Sequence, residues 1–231
     1  MNAPAQQRLQ TLKRIAKPLR IASLVFAIVG ALAVVLFLLM PAANLQTDIG
    51  KYADGYNYYG WQLTFLGCGY IPVAIFALFE PAGSLAGDYV PNTYDFGFNI
   101  WTTLAVILPV VAAIVCGIVK LKMKNRGKAV CEFVMAACFL FGGILLLNVV
   151  PLSTLVASDL GAGTGFRMQI LQSALDAGTY RLLAYPVVLF VICLLAAIVK
   201  AGNGAFLLYQ RSYARKNRPN NISMEEKNGN K

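Results

Sequence analysis

The chain has 231 residues, 58% of them hydrophobic and 13% charged, with a mean hydropathy of +0.62. A soluble globular domain carries about 25% charged residues, so the shortfall points to a membrane class. The net charge of +10 does not indicate nucleic acid, because the cations cluster beside apolar runs rather than along one face. Histidine is absent, which removes histidine ligand sets and histidine acid–base chemistry.

Residues 1–20 form a basic N-terminal segment carrying Arg8, Lys13, Arg14, Lys17 and Arg20. Residues 21–41 follow as the first span: Ile21–Met40 is uncharged and long enough to cross about 30 Å of hydrocarbon. Pro41 is expected to end it, and Ser23, Ala27 and Ala31 make a small-residue seam for another helix. Pro41-Ala42-Ala43 hints at signal-peptide processing, but the apolar run exceeds an h-region of about 7–15 residues, so an uncleaved helix is expected.

Residues 42–99 are rich in Tyr, Gly, Asp and Pro and contain one cation, Lys51. Trp61–Phe79 inside this segment is uncharged and could itself pass for a span, or for a re-entrant segment. The charge distribution argues against a span. With four spans and both termini inside, the cytoplasmic parts hold five Lys/Arg in residues 1–20, five in 120–128 and seven from 200 onward. Only Lys51, Arg167 and Arg181 then lie outside. A fifth span would reverse every later loop and spoil this positive-inside bias. Gly67, Gly69 and Pro72 also interrupt the run, so Tyr56–Leu66 and Tyr70–Phe79 are expected as strands of a small extracytoplasmic domain, with Tyr94–Phe98 a third.

The second span is expected over residues 100–119, entered through Trp101 and kinked at Pro109, with Ala113 and Gly117 as a small-x-x-x-small pair. Residues 120–128, K-L-K-M-K-N-R-G-K, form a basic cytoplasmic turn. The third span covers 129–150, with Cys138 and Gly142 facing a partner helix. Residues 151–181 return outside, and Phe166, Ile170, Leu171, Ala174 and Leu175 have the spacing of a short amphipathic helix. The fourth span covers 182–199, and residues 200–231 form a basic cytoplasmic tail; Lys200 can snorkel to the headgroups, and the helix can run on through Ala205–Gln210. The fold class is therefore all-α transmembrane, a four-helix polytopic bundle with a small β-containing extracytoplasmic domain.

Groups able to do chemistry are scarce. Asp48, Asp54, Glu80, Asp88, Asp95, Asp159 and Asp176 all fall in the external segments. A solvated surface explains them, and a cation-binding outer face is the sharper alternative. Glu132 is the one ionisable residue embedded in an apolar run, which makes it and Asn148 the candidate intramembrane polar site. Pairing of Glu132 with Lys128 or Arg126 near a helix N-terminus is the structural explanation, and an interhelical hydrogen bond is that for Asn148.

Leu160–Phe166, L-G-A-G-T-G-F, lacks the lysine of a phosphate-binding loop. Ser153 and Ser158 have no histidine to activate them. The five cysteines contain no C-x-x-C pair, and four lie in apolar runs as small hydrophobes. No catalytic constellation, cofactor or metal site is expected. Tyr56, Tyr58, Tyr59, Trp61 and Phe65 belong to an aromatic cluster suited either to packing or to a partner surface.

Two stretches, Y-Y-G-W-Q-L-T-F-L-G (Tyr58–Gly67) and F-G-F-N-I-W-T-T-L-A-V-I-L-P (Phe96–Pro109), resemble a pattern in small uncharacterised four-helix membrane proteins of Firmicutes. F-G-G-I-L-L-L (Phe141–Leu147) and L-G-A-G (Leu160–Gly163) follow the same layout. The resemblance spans most of Ile21–Val199 and implies the fold without an activity. The layout is also similar to that of animal claudins, whose first loop carries a G-L-W and two cysteines; only Trp61 and Cys68 stand here, so that likeness is architectural.

The expectation is a multi-pass protein of a bacterial cytoplasmic membrane with both termini cytoplasmic, partnered by the bilayer and by another protein or its own copies. A non-catalytic subunit or scaffold of a membrane complex is the first reading. An oligomeric channel or transporter component is the alternative, because four thin spans would have to assemble to line a pore.

Overall fold

The computed structural model describes residues 3–45, 56–65, 98–153 and 180–216. The uninterrupted apolar runs form helices, as a chain that must satisfy its own backbone in lipid requires. They are α1 (Ala3–Leu36), the short α2 (Gly60–Phe65), α3 (Ile100–Lys122), α4 (Asn125–Leu147) and α5 (Ala184–Lys216). Four helical stretches, Gln10–Leu39, Ile100–Lys122, Asn125–Leu147 and Ala184–Lys216, are long and apolar enough to cross a membrane.

The helices overrun the expected spans. α3 and α4, at 23 residues each, extend about 35 Å, whereas α1 and α5, at 34 and 33, extend about 50 Å. The basic segment 1–20 is therefore helical from Ala3, with Pro18 on an exposed side of α1. α5 likewise continues sixteen residues past Lys200. The two overhanging ends lie side by side, since Gln210 Nε2 donates to the Leu12 carbonyl at 3.2 Å. Between α3 and α4 only Met123 and Lys124 are non-helical, so most of the basic turn is helix too.

The four long helices close into a ring in which α5 packs on α4, α4 on α3, and α1 on both α3 and α5. Small residues permit the close approaches. A Cβ on Gly142 would stand 2.7 Å from Pro109 Cγ and 2.8 Å from the Ala105 carbonyl oxygen, so the α3–α4 contact requires glycine. The inward stripe of α1 is Ala16, Ser23, Ala27, Gly30, Ala33 and Val34, continued by Phe37 just beyond its end. Ser23 and Ala27 face the bundle as expected, whereas Gly30 takes the inward place and Ala31 is half-buried. Of the Ala113–Gly117 pair, Ala113 packs against the core, whereas Gly117 is exposed and a Cβ there would meet nothing among the described residues. Large aliphatic side chains such as Leu24, Ile114, Ile118 and Ile198 face outward along the bundle, a pattern suited to lipid.

The bundle end away from the basic turn is capped by a 3-10 turn (Phe37–Leu39) and by three antiparallel strands, β1 (Pro41–Leu45), β2 (Tyr56–Tyr59) and β3 (Tyr180–Leu182), in the order β2-β1-β3. Leu45 pairs with both Tyr56 and Tyr180. The strand expected over Tyr56–Leu66 stops at Tyr59, and Gly60–Phe65 turns into helix α2.

Gly60 permits that turn. Its N–H donates to the Met40 carbonyl at 3.0 Å, and a Cβ would collide with the Phe37 carbonyl oxygen. Gln62 Oε1 reaches back to accept from the Tyr59 N–H at 2.8 Å, one half of a capping box. Tyr58, Trp61 and Leu63 then bury with Phe37, Val149 and Val150 in the core beneath the strands.

The strands expected at Tyr70–Phe79 and Tyr94–Phe98, apart from Phe98, lie outside the described residues, as do the carboxylates expected on the outer face, Cys68, Ser158 and the helix expected around Phe166–Leu175. Phe98 itself is not in a strand.

Candidate functional site

About two turns into α4 from the basic turn, the bundle encloses a polar cluster to which every long helix contributes. Its centre is Glu132 of α4, with no exposed surface. Its position on the inward stripe, with Ala129, Met135, Ala136 and Phe139, forces the carboxylate between helices. An unpaired carboxylate there would be very costly, and the neighbouring helices supply donors.

Ser23 Oγ of α1 donates to Glu132 Oε2 at 3.0 Å, and Asn203 Nδ2 of α5 donates to Oε1 at 2.8 Å. Lys120 of α3 forms an ion pair with Oε1, and Lys200 of α5 lies 3.4 Å from Oε2. Both carboxylate oxygens are thus occupied. Lys200 and Asn203 reach the same group because residues three apart share a helix face.

The site differs from its sequence reading in three ways. Glu132 pairs with Lys120 and Lys200, not with Lys128 or Arg126, because its side chain points into the bundle. Lys200 does not snorkel outward: it is 1% exposed, as α5 continues beyond it and encloses it. Asn148 is not part of the cluster and makes no interhelical bond among the described residues; it lies exposed at the opposite end of α4, where its Nδ2 donates to the Ile144 carbonyl of its own helix at 2.8 Å.

Two cations against one anion leave the cluster with a formal excess of one positive charge. Lys120 alone retains access outward, with its side chain 24% exposed. Asn203 Oδ1 is buried without a hydrogen-bond partner, one of two such side-chain atoms among the described residues; the other is Thr102 Oγ1 near the opposite end of α3. The cluster can therefore hold the four helices in register, and its remaining acceptor and displaceable lysine could serve a moving proton or ion. Among the described residues no group of three His, Cys, Asp or Glu is placed to hold a metal ion.

The aromatic candidates separate. Tyr58 and Trp61, at 1% and 2% exposed, are packed in the core and present almost no surface. Tyr59 is half-buried, and the side chains of Tyr56 and Phe65 lie outside those described. Ser153 serves the fold: its Oγ donates to the Val149 carbonyl at 2.7 Å and accepts from Asn99 Nδ2 at 3.3 Å. Asn99 in turn caps α3, its Oδ1 accepting from Trp101 and Thr102 N–H groups at 3.0 and 3.1 Å.

Sequence reasoning missed Lys120, Lys200, Asn203 and Ser23 as ligands of Glu132. The available signal was the pair Lys200 and Asn203, three apart at the end of the fourth apolar run, although Gly202 and Gly204 beside them are poor helix formers. No protein-family model, curated protein or solved structure matches this chain.

Proposed function

We propose that the protein is a non-catalytic subunit or scaffold of a membrane complex, lying in a bacterial cytoplasmic membrane with both termini cytoplasmic. The observation that carries this reading is the closure of the Glu132 cluster: the intramembrane carboxylate is consumed by Ser23, Lys120, Lys200 and Asn203 of the same chain. Such a group stabilises a fixed bundle instead of lining an open path. With Tyr58 and Trp61 buried, the partner contact falls to the outward helix faces. There Gly117 of α3 leaves room for a second helix to approach closely.

Native mass spectrometry of the full-length protein, extracted from its membrane in mild detergent, tests this. A stoichiometric second subunit that is lost in Gly117→Leu, while the bundle keeps its melting temperature, is the expected result. A lone chain or a closed homo-oligomer would refute it.

The second reading, an oligomeric channel or transporter component, is favoured by the unpartnered Asn203 Oδ1 beside a cluster of net positive charge. It requires that Glu132→Gln alter ion or proton flux in proteoliposomes.

A further inference from the structure

The overhanging ends of α1 and α5 enclose, with the start of α4, a cleft of about 580 Å³. Such a volume suits a small ligand. Its cations are Lys13, Lys17 and Arg20 from α1 and Arg211 from α5. An adjoining cleft of about 600 Å³ shares Asn125 and Arg211 and adds Lys124 and Arg126. Lys13, Lys17 and Arg20 repeat at intervals of four and three, which sets them on one helix face, where like charges repel.

Nothing within the described chain neutralises them. Glu132 is the sole carboxylate side chain among the described residues, and it is occupied in the buried cluster. α4 begins at this cleft, at Asn125, with no side-chain cap and no acidic residue in its first turn, so the positive end of its dipole is also uncompensated. Among the described residues this positive charge is uncompensated, and an anion would compensate it.

The rest of the lining shows which anion. Leu12, Ala16 and Ile21 form an apolar wall, and Ile21 opens the outward aliphatic face that continues through Leu24, Val25 and Ile28. Arg20 and Ile21 thus place the boundary between headgroups and hydrocarbon beside the cleft. A soluble phosphate would use only the cations, whereas a phospholipid would use both the cations and the continuous apolar face.

We propose that this cleft is a binding site for an anionic phospholipid, with the phosphate held by Lys17, Arg20 and Arg211 and the acyl chains running along α1 from Ile21. Unlike a general attraction of basic segments to acidic membranes, the site joins two helices that are nearly two hundred residues apart in sequence, and it should saturate at one lipid.

The experiment is native mass spectrometry of the full-length protein released from detergent with added phosphatidylglycerol, phosphatidylcholine or inorganic phosphate. One retained phosphatidylglycerol is expected, with phosphatidylcholine not retained and millimolar phosphate failing to displace the lipid. Lys17→Gln with Arg211→Gln should lower its apparent affinity by about tenfold or more, since each headgroup-level cation contributes on the order of 1 kcal/mol.

A control, Lys122→Gln with Lys216→Gln, removes the same charge elsewhere and should leave retention unchanged; circular dichroism would establish that both variants keep their helices. Equal loss in both variants would show a diffuse surface effect and overturn the site. Equal retention of phosphatidylcholine, or ready displacement by phosphate, would overturn the assignment to an anionic lipid.

Discussion

Replacing Glu132 by Gln tests whether the buried cluster holds the bundle together. The carboxylate has no exposed surface and receives two hydrogen bonds and two ammonium groups. Glutamine keeps the shape and can still accept on one atom, but its amide nitrogen must face either Ser23 and Lys200 or Asn203 and Lys120. Rotation of the Asn203 amide would turn its free oxygen toward that nitrogen and recover part of the loss.

Intramembrane hydrogen bonds contribute about 0.6 kcal/mol each on average, so the two bonds account for roughly 1 kcal/mol. The ammonium groups matter more, and unequally. Lys120 can turn outward, being 24% exposed along its side chain, whereas Lys200 at 1% cannot. Leaving one buried charge without its partner costs about 3–5 kcal/mol, and the residual glutamine contacts put the expectation near the lower end, about 3 kcal/mol.

Reversible unfolding in mixed micelles, followed by circular dichroism as the denaturing detergent is titrated, would measure it. Adding Lys200→Met should restore most of the loss, because it removes the stranded charge. A Glu132→Gln variant within about 0.5 kcal/mol of the parent, or a double variant no better than the single one, would refute the reasoning.

Two further outcomes follow from the packing. Trp61→Ala should lower stability by about 3–5 kcal/mol in the same titration, because the indole is a core side chain; unchanged stability with loss of a partner would instead mark a binding residue. Gly142→Leu should prevent the α3–α4 contact, since even a Cβ there meets Ala105 backbone at 2.8 Å, and should reduce folded yield, whereas Gly117→Leu, with nothing nearby, should express as the parent does.

Much of the fold was legible because lipid imposes strict demands on a sequence. Ile21–Met40 has no charge, and such a run in lipid favours helix, which it adopts as far as Leu39. Tyr56–Phe65 departs from its local preference. A strand was expected through Leu66 from its aromatic and β-branched content, yet the chain becomes helical at Gly60. The backbone contacts of Gly60 with Phe37 and Met40, and the reach of Gln62 to Tyr59, outweighed local preference. The strand pattern stated an average tendency, and the sharp chain reversal needed at that point belongs to the tertiary fold.

The sequence by itself determined four apolar helices, the basic turn that joins the second to the third, and Glu132 as the one carboxylate embedded among them, because hydropathy and charge are properties of consecutive residues. Only the tertiary structure decided what Glu132 touches and where the aromatic residues go. Lys120 and Lys200 both stand at the edge of an apolar run, and along the chain an edge lysine is equally able to reach water or to turn inward. Helix length settles the choice: α5 continues sixteen residues past Lys200, so that lysine meets the interior of the bundle, and the four helices close around it.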